Sequence, residues 1–259
     1  MAALAPKGIR GWLVLLAAVL CMGVTARLGG WQLDRAAQKL ALHHAVAQQA
    51  AQAPVRNTDW PALLQASTAA VGMDAWQHRP VQLTGHWQAA HTVYLDNRQM
   101  HGRPGFYVLT PLLLDGGSAV LVQRGWVPRN FQERTALPEI ATPDGRVQLV
   151  GRLAPPPAQL YALGENQPDA AQPQIRQNLD MPRYARETGL ALPSFSVVQT
   201  GPDSEGLQRQ WPAPDTGVSK HYGYAFQWYA MCALTALLYL WFQILRPLRR
   251  PLPVVAHAS

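Results

Sequence analysis

Polar and apolar positions divide this chain into stretches of different character. Residues 11–26, between Arg10 and Arg27, include no charged side chain, and neither do residues 221–245, between Lys220 and Arg246. The second run, His221 to Leu245, exceeds the ~20 residues that a helix needs to cross a bilayer, and it predicts a spanning helix. The first run is shorter, roughly 24 Å of helix against ~30 Å of hydrocarbon. It spans if Arg10 and Arg27 extend their charges to the interfaces and the apolar pattern that resumes at Leu28 continues the helix. Taken alone, it also reads as a cleaved signal: Lys7 and Arg10 make a basic start, and Val24-Thr25-Ala26 resembles a small-residue cleavage site.

Trp31 to Gln52 is rich in Ala, Leu and Gln and lacks Gly and Pro, which predicts a helix continuing from or following the first span. Adjacent histidines on a helix point in different directions, so His43 and His44 read as surface residues. From Pro80 onward the period changes to two. Val81 to Gly85, His91 to Leu95, Phe106 to Leu113, Ala119 to Arg124, Arg146 to Leu153 and Phe195 to Thr200 are strand candidates. Asp115-Gly116-Gly117 is a turn signal that joins two of them as a hairpin. Short strands separated by turns predict a β-barrel or sandwich rather than a doubly wound α/β domain. Ala154 to Gln174, with five prolines, reads as a long loop, Trp211 to Gly217 as a linker, and Pro247 to Ser259 as a disordered tail.

The net charge of +7 suggests nucleic acid until it is located. Lys7, Arg10, Arg246, Arg249 and Arg250 lie outside the two apolar runs, where no acid occurs. The stretch between the runs holds the other 17 of 22 bases and all 15 acids, so it is nearly neutral. The excess is a topology signal that places both tails in the cytoplasm. Arg27, Arg35 and Lys39 on the far flank of the first run weaken that signal; Lys220 against three arginines strengthens it at the second. The reading is a membrane protein with two transmembrane α-helices flanking an extracytoplasmic, mainly-β domain with accessory helices. Its boundaries are residues 1–10 (cytoplasmic), 11–30 (first span), 31–220 (outer domain), 221–245 (second span) and 246–259 (cytoplasmic). Cys21 and Cys232 both lie within the runs, so the outer domain has no disulfide and no cysteine-based metal site.

No GxSxG, HExxH or Walker loop is present, and Asp96, Asp115 and Asp144 are scattered near turns, where capping is the commoner role. The chain does not read as an enzyme. The block Asn97 to Leu112 leads polar residues and glycines into an apolar strand. A second block, Val120 to Pro128, places Arg124-Gly125-Trp126 after a strand. Structurally, Gly125 takes a positive φ and Trp126 covers the core. Functionally, Arg98, Arg103 and Arg124 form a rim for a carboxylate. On the second span His221, Tyr224, Ala225, Trp228, Cys232, Thr235 and Tyr239 fall on one aromatic, mildly polar face, with lipid-like residues opposite. His221 reads either as an interfacial residue of an aromatic belt or as a ligand for haem iron, the aromatic face receiving the porphyrin.

Three features together resemble the Surfeit locus protein family, membrane assembly factors for haem–copper cytochrome c oxidase. They are Leu28 to Arg35 with its Trp31-Gln32 pair, the two blocks just described, and His221 to Trp228 followed by Tyr229. Their order and spacing match from about residue 12 to residue 245. The resemblance implies a bacterial inner-membrane protein that binds haem a transiently for delivery to the oxidase catalytic subunit, alongside other oxidase assembly factors and with no nucleic-acid partner. It implies His221 as axial ligand, with Tyr224, Trp228, Arg98 and Arg124 as further cofactor-binding candidates. Gln123 replaces the family's usual Asn or Asp, Tyr222 replaces a common Leu, and Gly164 to Tyr184 lacks a tryptophan often found there. A different class stays open: a scaffold that stabilises an oxidase intermediate and never holds haem.

Overall fold

The structure, a computed structural model, describes residues 8–68, 76–130, 132–133, 136–160, 174–212 and 217–246. It separates into two compact units, one of Ala45–Pro214 and one of Met1–His44 with Asp215–Ser259. The stretches 161–173, 213–216 and 247–259 lie outside the described residues, so the expected proline loop, linker and tail are described only in part.

The helical unit contains α1 (Gly8–Ala50) and the last helix of the chain, α4 (Val218–Tyr239), whose end widens into a π-turn at Leu240–Leu245. Both are long and apolar enough to cross a membrane, and the chain leaves their apolar windows almost entirely uncovered. That exposure separates them from the core helices of a soluble fold. Helix α1 passes without a break from the uncharged run into the Ala/Gln-rich stretch, as expected, so the boundary placed at residue 31 falls inside it.

Along α1, Gly11, Leu15, Ala18, Met22, Thr25, Gly29, Gln32, Ala36 and Lys39 are buried or half-buried; along α4, His221, Ala225, Trp228, Cys232, Thr235 and Tyr239 are. Both series step by four and three residues, the 3.5-residue period that keeps two packed helices facing each other. The pairing is antiparallel: Gln32 meets His221, Gly29 meets Tyr229, Met22 meets Cys232 and Cys21 meets Thr235. A Cβ added at Gly29 would stand 2.9 Å from the Tyr229 ring, so this glycine makes room for an aromatic residue between the helices. The hydroxyls of Thr25 and Thr235 donate to the carbonyls of Cys21 and Met231 one turn back, which satisfies them without water.

The β domain begins with β1 (Val55–Arg56) and α2 (Trp60–Thr68), followed by β2 (Pro80–Trp87), β3 (Val93–Met100), β4 (Arg103–Leu114), β5 (Ala119–Pro128) and β6 (Arg146–Ala154). Then come β7 (Ile175–Arg176), α3 (Met181–Thr188) and β8 (Ser196–Gln199). All six expected strands are present. Their pairings run β2–β6–β8–β5–β4, and residues 112–114 of β4 return to residues 85–87 of β2, so five strands close into a barrel. Closure removes free edges. It requires glycine at Gly85, where a Cβ would meet the Leu113 carbonyl oxygen at 2.2 Å. Strands β3 and β7 extend from the first half of β4.

The two tight hairpins follow their turn residues. His101 and Gly102, both at positive φ, link β3 to β4, and Gly117 at φ 82° closes the expected β4–β5 turn. Beside that turn, hydrogen bonds from Arg146 and Thr84 pull the Asp115 carboxyl to about 2. A depressed carboxyl stabilises the fold above its ordinary 3.8, and this contribution is lost as pH falls from there through about 2.

Alternation along the strands divides the apolar residues into packed groups. Val120, Val122, Leu112 and Leu114 join Trp60 and Leu63 of α2, whereas Leu121, Leu109 and Leu95 join Met181 and Tyr184 of α3. Helix α3 starts at Asp180, whose side chain accepts from the Arg183 amide at 2.7 Å, and stops at left-handed Gly189.

Candidate functional site

The two sequence blocks of the β domain form one assembly. On β5, Gly125 pairs with Val108 and Gln123 with Leu109, so Arg124 is the extra residue of a β-bulge. The bulge turns Arg124 inward, where it is fully buried. Its Nη1 donates to Thr142 Oγ1 at 2.7 Å, and its Nη2 donates to the Ala141 carbonyl at 2.8 Å and Glu205 at 3.0 Å. Glu205 also accepts from Arg209, which lies behind it and donates to the Arg124 carbonyl. Burial draws the Arg209 guanidinium below its ordinary value; Glu205 opposes that and Arg124 adds to it. The Trp126 indole donates to the Arg98 carbonyl at 2.9 Å, and its ring covers Gly105, where a Cβ would meet it at 2.5 Å.

The expected carboxylate rim is therefore not what Arg98 and Arg124 form. Both are buried, Arg98 donates to the Gln177 carbonyl at 3.0 Å, and their chemistry is spent on holding strands and loops together. Arg103 is exposed. The expectation of a positive φ at Gly125 is also corrected: it lies in extended β5, and glycine is needed for space. A Cβ there would meet Leu207 Cβ at 2.8 Å and the Gln208 carbonyl oxygen at 2.9 Å. Trp126 does cover the core as expected. Gly125→Val should lower the stability of the full-length protein by ~1–3 kcal/mol through overpacking, read as a shift of the denaturant midpoint. An unchanged midpoint would show that the loop at Leu207 yields freely.

His221 stands in the first turn of α4, whose start is set by left-handed Gly217, and its amide donates to the Gly217 carbonyl. Its Nδ1 lies 2.6 Å from Gln32 Oε1. Among the described residues nothing in the chain bonds its Nε2. Tyr222, Tyr224 and Phe226 beside it, and Trp31 next to Gln32, are exposed.

The face expected to receive a porphyrin along the second span is instead packed on α1. Trp228, Cys232, Thr235 and Tyr239 are half-buried in that packing, and Tyr224 lies outside it, 51 % exposed. The His221 end of this face keeps, among the described residues, a ring nitrogen without a hydrogen bond and exposed aromatic surface beside it. Sequence reasoning missed Gln32 as a partner of His221. The signal was the four-three spacing from Gly11 through Gly29 to Gln32, visible without a structure but unread in the first helix.

Two clefts lie elsewhere. One of about 410 Å³ opens between α1 and α4 beside Val14, Cys21, Thr235 and Phe242, and one of about 230 Å³ lies on the β domain beside His91, Arg176, Tyr184 and Glu187. Among the described residues no group of three His, Cys, Asp or Glu side chains comes together to hold a metal ion. A histidine nitrogen without a hydrogen bond is a donor type that haem iron takes.

Two apolar helices paired antiparallel, with a closed β domain carried in the chain between them, define a candidate membrane-anchored β-barrel protein. The model of the SURF1 family matches residues 19–233, which takes in the Trp31-Gln32 pair, both β-domain blocks and His221. The chain belongs to the SURF1 family. It is 27 % identical over 223 residues to a SURF1-like protein of Rickettsia bellii, covering 82 % of this chain and 83 % of that one. It is 28 % identical over 250 residues to Surfeit locus protein 1 of Mus musculus, covering 90 % of this chain and 74 % of the relative. Cytochrome oxidase assembly protein SHY1 of Saccharomyces cerevisiae matches at 31 % over 101 residues, 39 % of this chain and 24 % of that one.

Proposed function

We propose that this chain is an assembly factor for haem–copper cytochrome c oxidase that holds haem a through His221 and passes it to the oxidase catalytic subunit. Family membership and the name of the yeast relative support the oxidase role. The observation that carries the haem reading is the imidazole at the end of α4, fixed through one ring nitrogen and unbonded at the other. Haem would supply the iron, and His221 would hold it through Nε2, with Trp228 half-buried on the same helix face to keep the helix against α1. Tyr222, Tyr224 and Phe226 offer exposed aromatic surface beside the ligand. One ligand flanked by exposed side chains suits release, since a resident cofactor is ordinarily buried on most of its surface. Arg98 and Arg124 take no part in this reading.

The membrane is the bacterial inner membrane, with both tails cytoplasmic and the β domain outside, on the strength of the basic tails and the bacterial relative. A reporter active only outside the cytoplasm should be silent when fused after Ser259 and active when inserted near Gly116. Activity at Ser259 would reverse the orientation.

The second reading, a scaffold without haem, is favoured by one observation: α1 fills the face of α4 that was expected to take a ring. Absorption of the full-length protein, purified in detergent from cells that make haem a, separates the two. A Soret band with a haem a signature supports the haem reading, and haem-free protein after supplementation with haem a supports the scaffold.

A further inference from the structure

We infer that Gln32 is a positioning residue that fixes His221 in the tautomer protonated at Nδ1, so that Nε2 presents its lone pair for ligation. The functional half of this inference rests on the haem reading; the structural half does not. A carboxamide oxygen only accepts hydrogen bonds, so 2.6 Å between Gln32 Oε1 and His221 Nδ1 places the proton on Nδ1. A neutral imidazole has one such proton, which leaves Nε2 as an acceptor or a ligand.

Geometry makes the pair specific. Gln32 and His221 sit at matching steps of the two facing series, so the packing of α1 on α4 fixes both Cβ positions and, through the hydrogen bond, the plane of the ring. One turn further along α1, Gly29 admits Tyr229 and sets the local spacing of the helices. Both side chains are half-buried between apolar helices, where few other groups compete for the bond. Among the described residues no other side-chain partner of either group is present. The bond does for this imidazole what an outer-shell acceptor does for a metal-bound histidine: it selects the nitrogen, orients it and makes it a better donor.

The test uses the full-length protein in lipid nanodiscs with ¹⁵N-labelled histidine, at alkaline pH and without haem. The His221 signals are assigned by their loss in His221→Ala. The wild type should show Nδ1 protonated and Nε2 bare, Gln32→Leu should move the ring to a mixture of tautomers, and Gln32→Glu should keep Nδ1 protonated. A wild-type ring protonated at Nε2, or a Gln32→Leu spectrum like that of the wild type, overturns the inference. With haem a added, Gln32→Leu should weaken binding roughly 10–100-fold and Gln32→Glu should restore it, with a lower reduction potential. If His221→Ala loses haem while Gln32→Leu binds it like the wild type, the positioning role fails and the ligand stands. If His221→Ala keeps its haem, the ligand reading fails, and the tautomer spectrum alone decides the structural half.

Discussion

His221→Ala should strip haem a from the purified full-length protein while leaving it folded and inserted. The remaining histidines are His43, His44, His78, His86, His91, His101 and His257. Of these, His43 and His44 lie on α1 beyond the stretch that faces α4, and His257 is in the tail. A haem held at the end of α4 thus has no second imidazole in the first turns of that helix. Losing the metal bond itself should cost more than the roughly 10–100-fold that follows loss of an outer-shell partner, so the Soret band should fall below detection. Trp228→Ala should cost less, because it removes packing and leaves the iron–nitrogen bond intact. His221→Ala removes a half-buried ring at a helix end, and thermal stability should barely move. A melting temperature far below that of the wild type would mean that the lost haem reflected lost structure.

Glu205→Gln should be the most damaging conservative change in the β domain. Glu205 bridges two guanidiniums, Arg124 Nη2 and Arg209 Nη2, each at 3.0 Å, with the arginine side chains 0 % and 3 % exposed. Removing its charge leaves buried Arg124 facing a neutral amide and Arg209 with Asp203 as its remaining nearby carboxylate, and breaking a buried pair in this way costs about 3 kcal/mol or somewhat more. For a domain of this size about 2–4 °C is lost per kcal/mol, so the melting temperature of the full-length protein should fall by roughly 10 °C. Arg124→Met in the Glu205→Gln background should recover part of the loss, because it removes the fully buried cation that Glu205 had paired. A melting temperature equal to the wild type's would show that the arginines find other partners. Additive losses in the double variant would show that charge is not the cause.

The helices and strands were legible because their periods are strong. Uncharged runs gave α1 and α4, alternation such as Val81-Gln82-Leu83 gave the six long strands, and Asp115-Gly116-Gly117 gave the hairpin. Helix α3 was missed although its signals stand in the chain, with Asp180 as cap, Pro182 in the first turn and Gly189 as stop. The two-residue strands β1 and β7 are too short for any period to show. Burial of Arg98 and Arg124 was not legible for another reason. An arginine in a strand reads as solvent-facing until a bulge, set by pairing with β4, shifts its phase. The same holds for Gly125, whose requirement comes from Leu207 and Gln208, more than eighty residues along the chain. At the proposed site, the position of His221 at the head of the apolar run is legible in the sequence. Its partner depended on which face of α1 meets α4, and that faint pattern is clear only once both helices are read together.

The central claim is most directly tested in cells that lack this chain and carry it back in wild-type or His221→Ala form. The measurement is the haem a absorbance of the oxidase in isolated membranes, with immunoblotting to show equal amounts of each protein. The account predicts that the wild type restores the oxidase haem a band and that His221→Ala, present at the same level, does not. Full restoration by His221→Ala would contradict it and assign the chain's contribution to scaffolding.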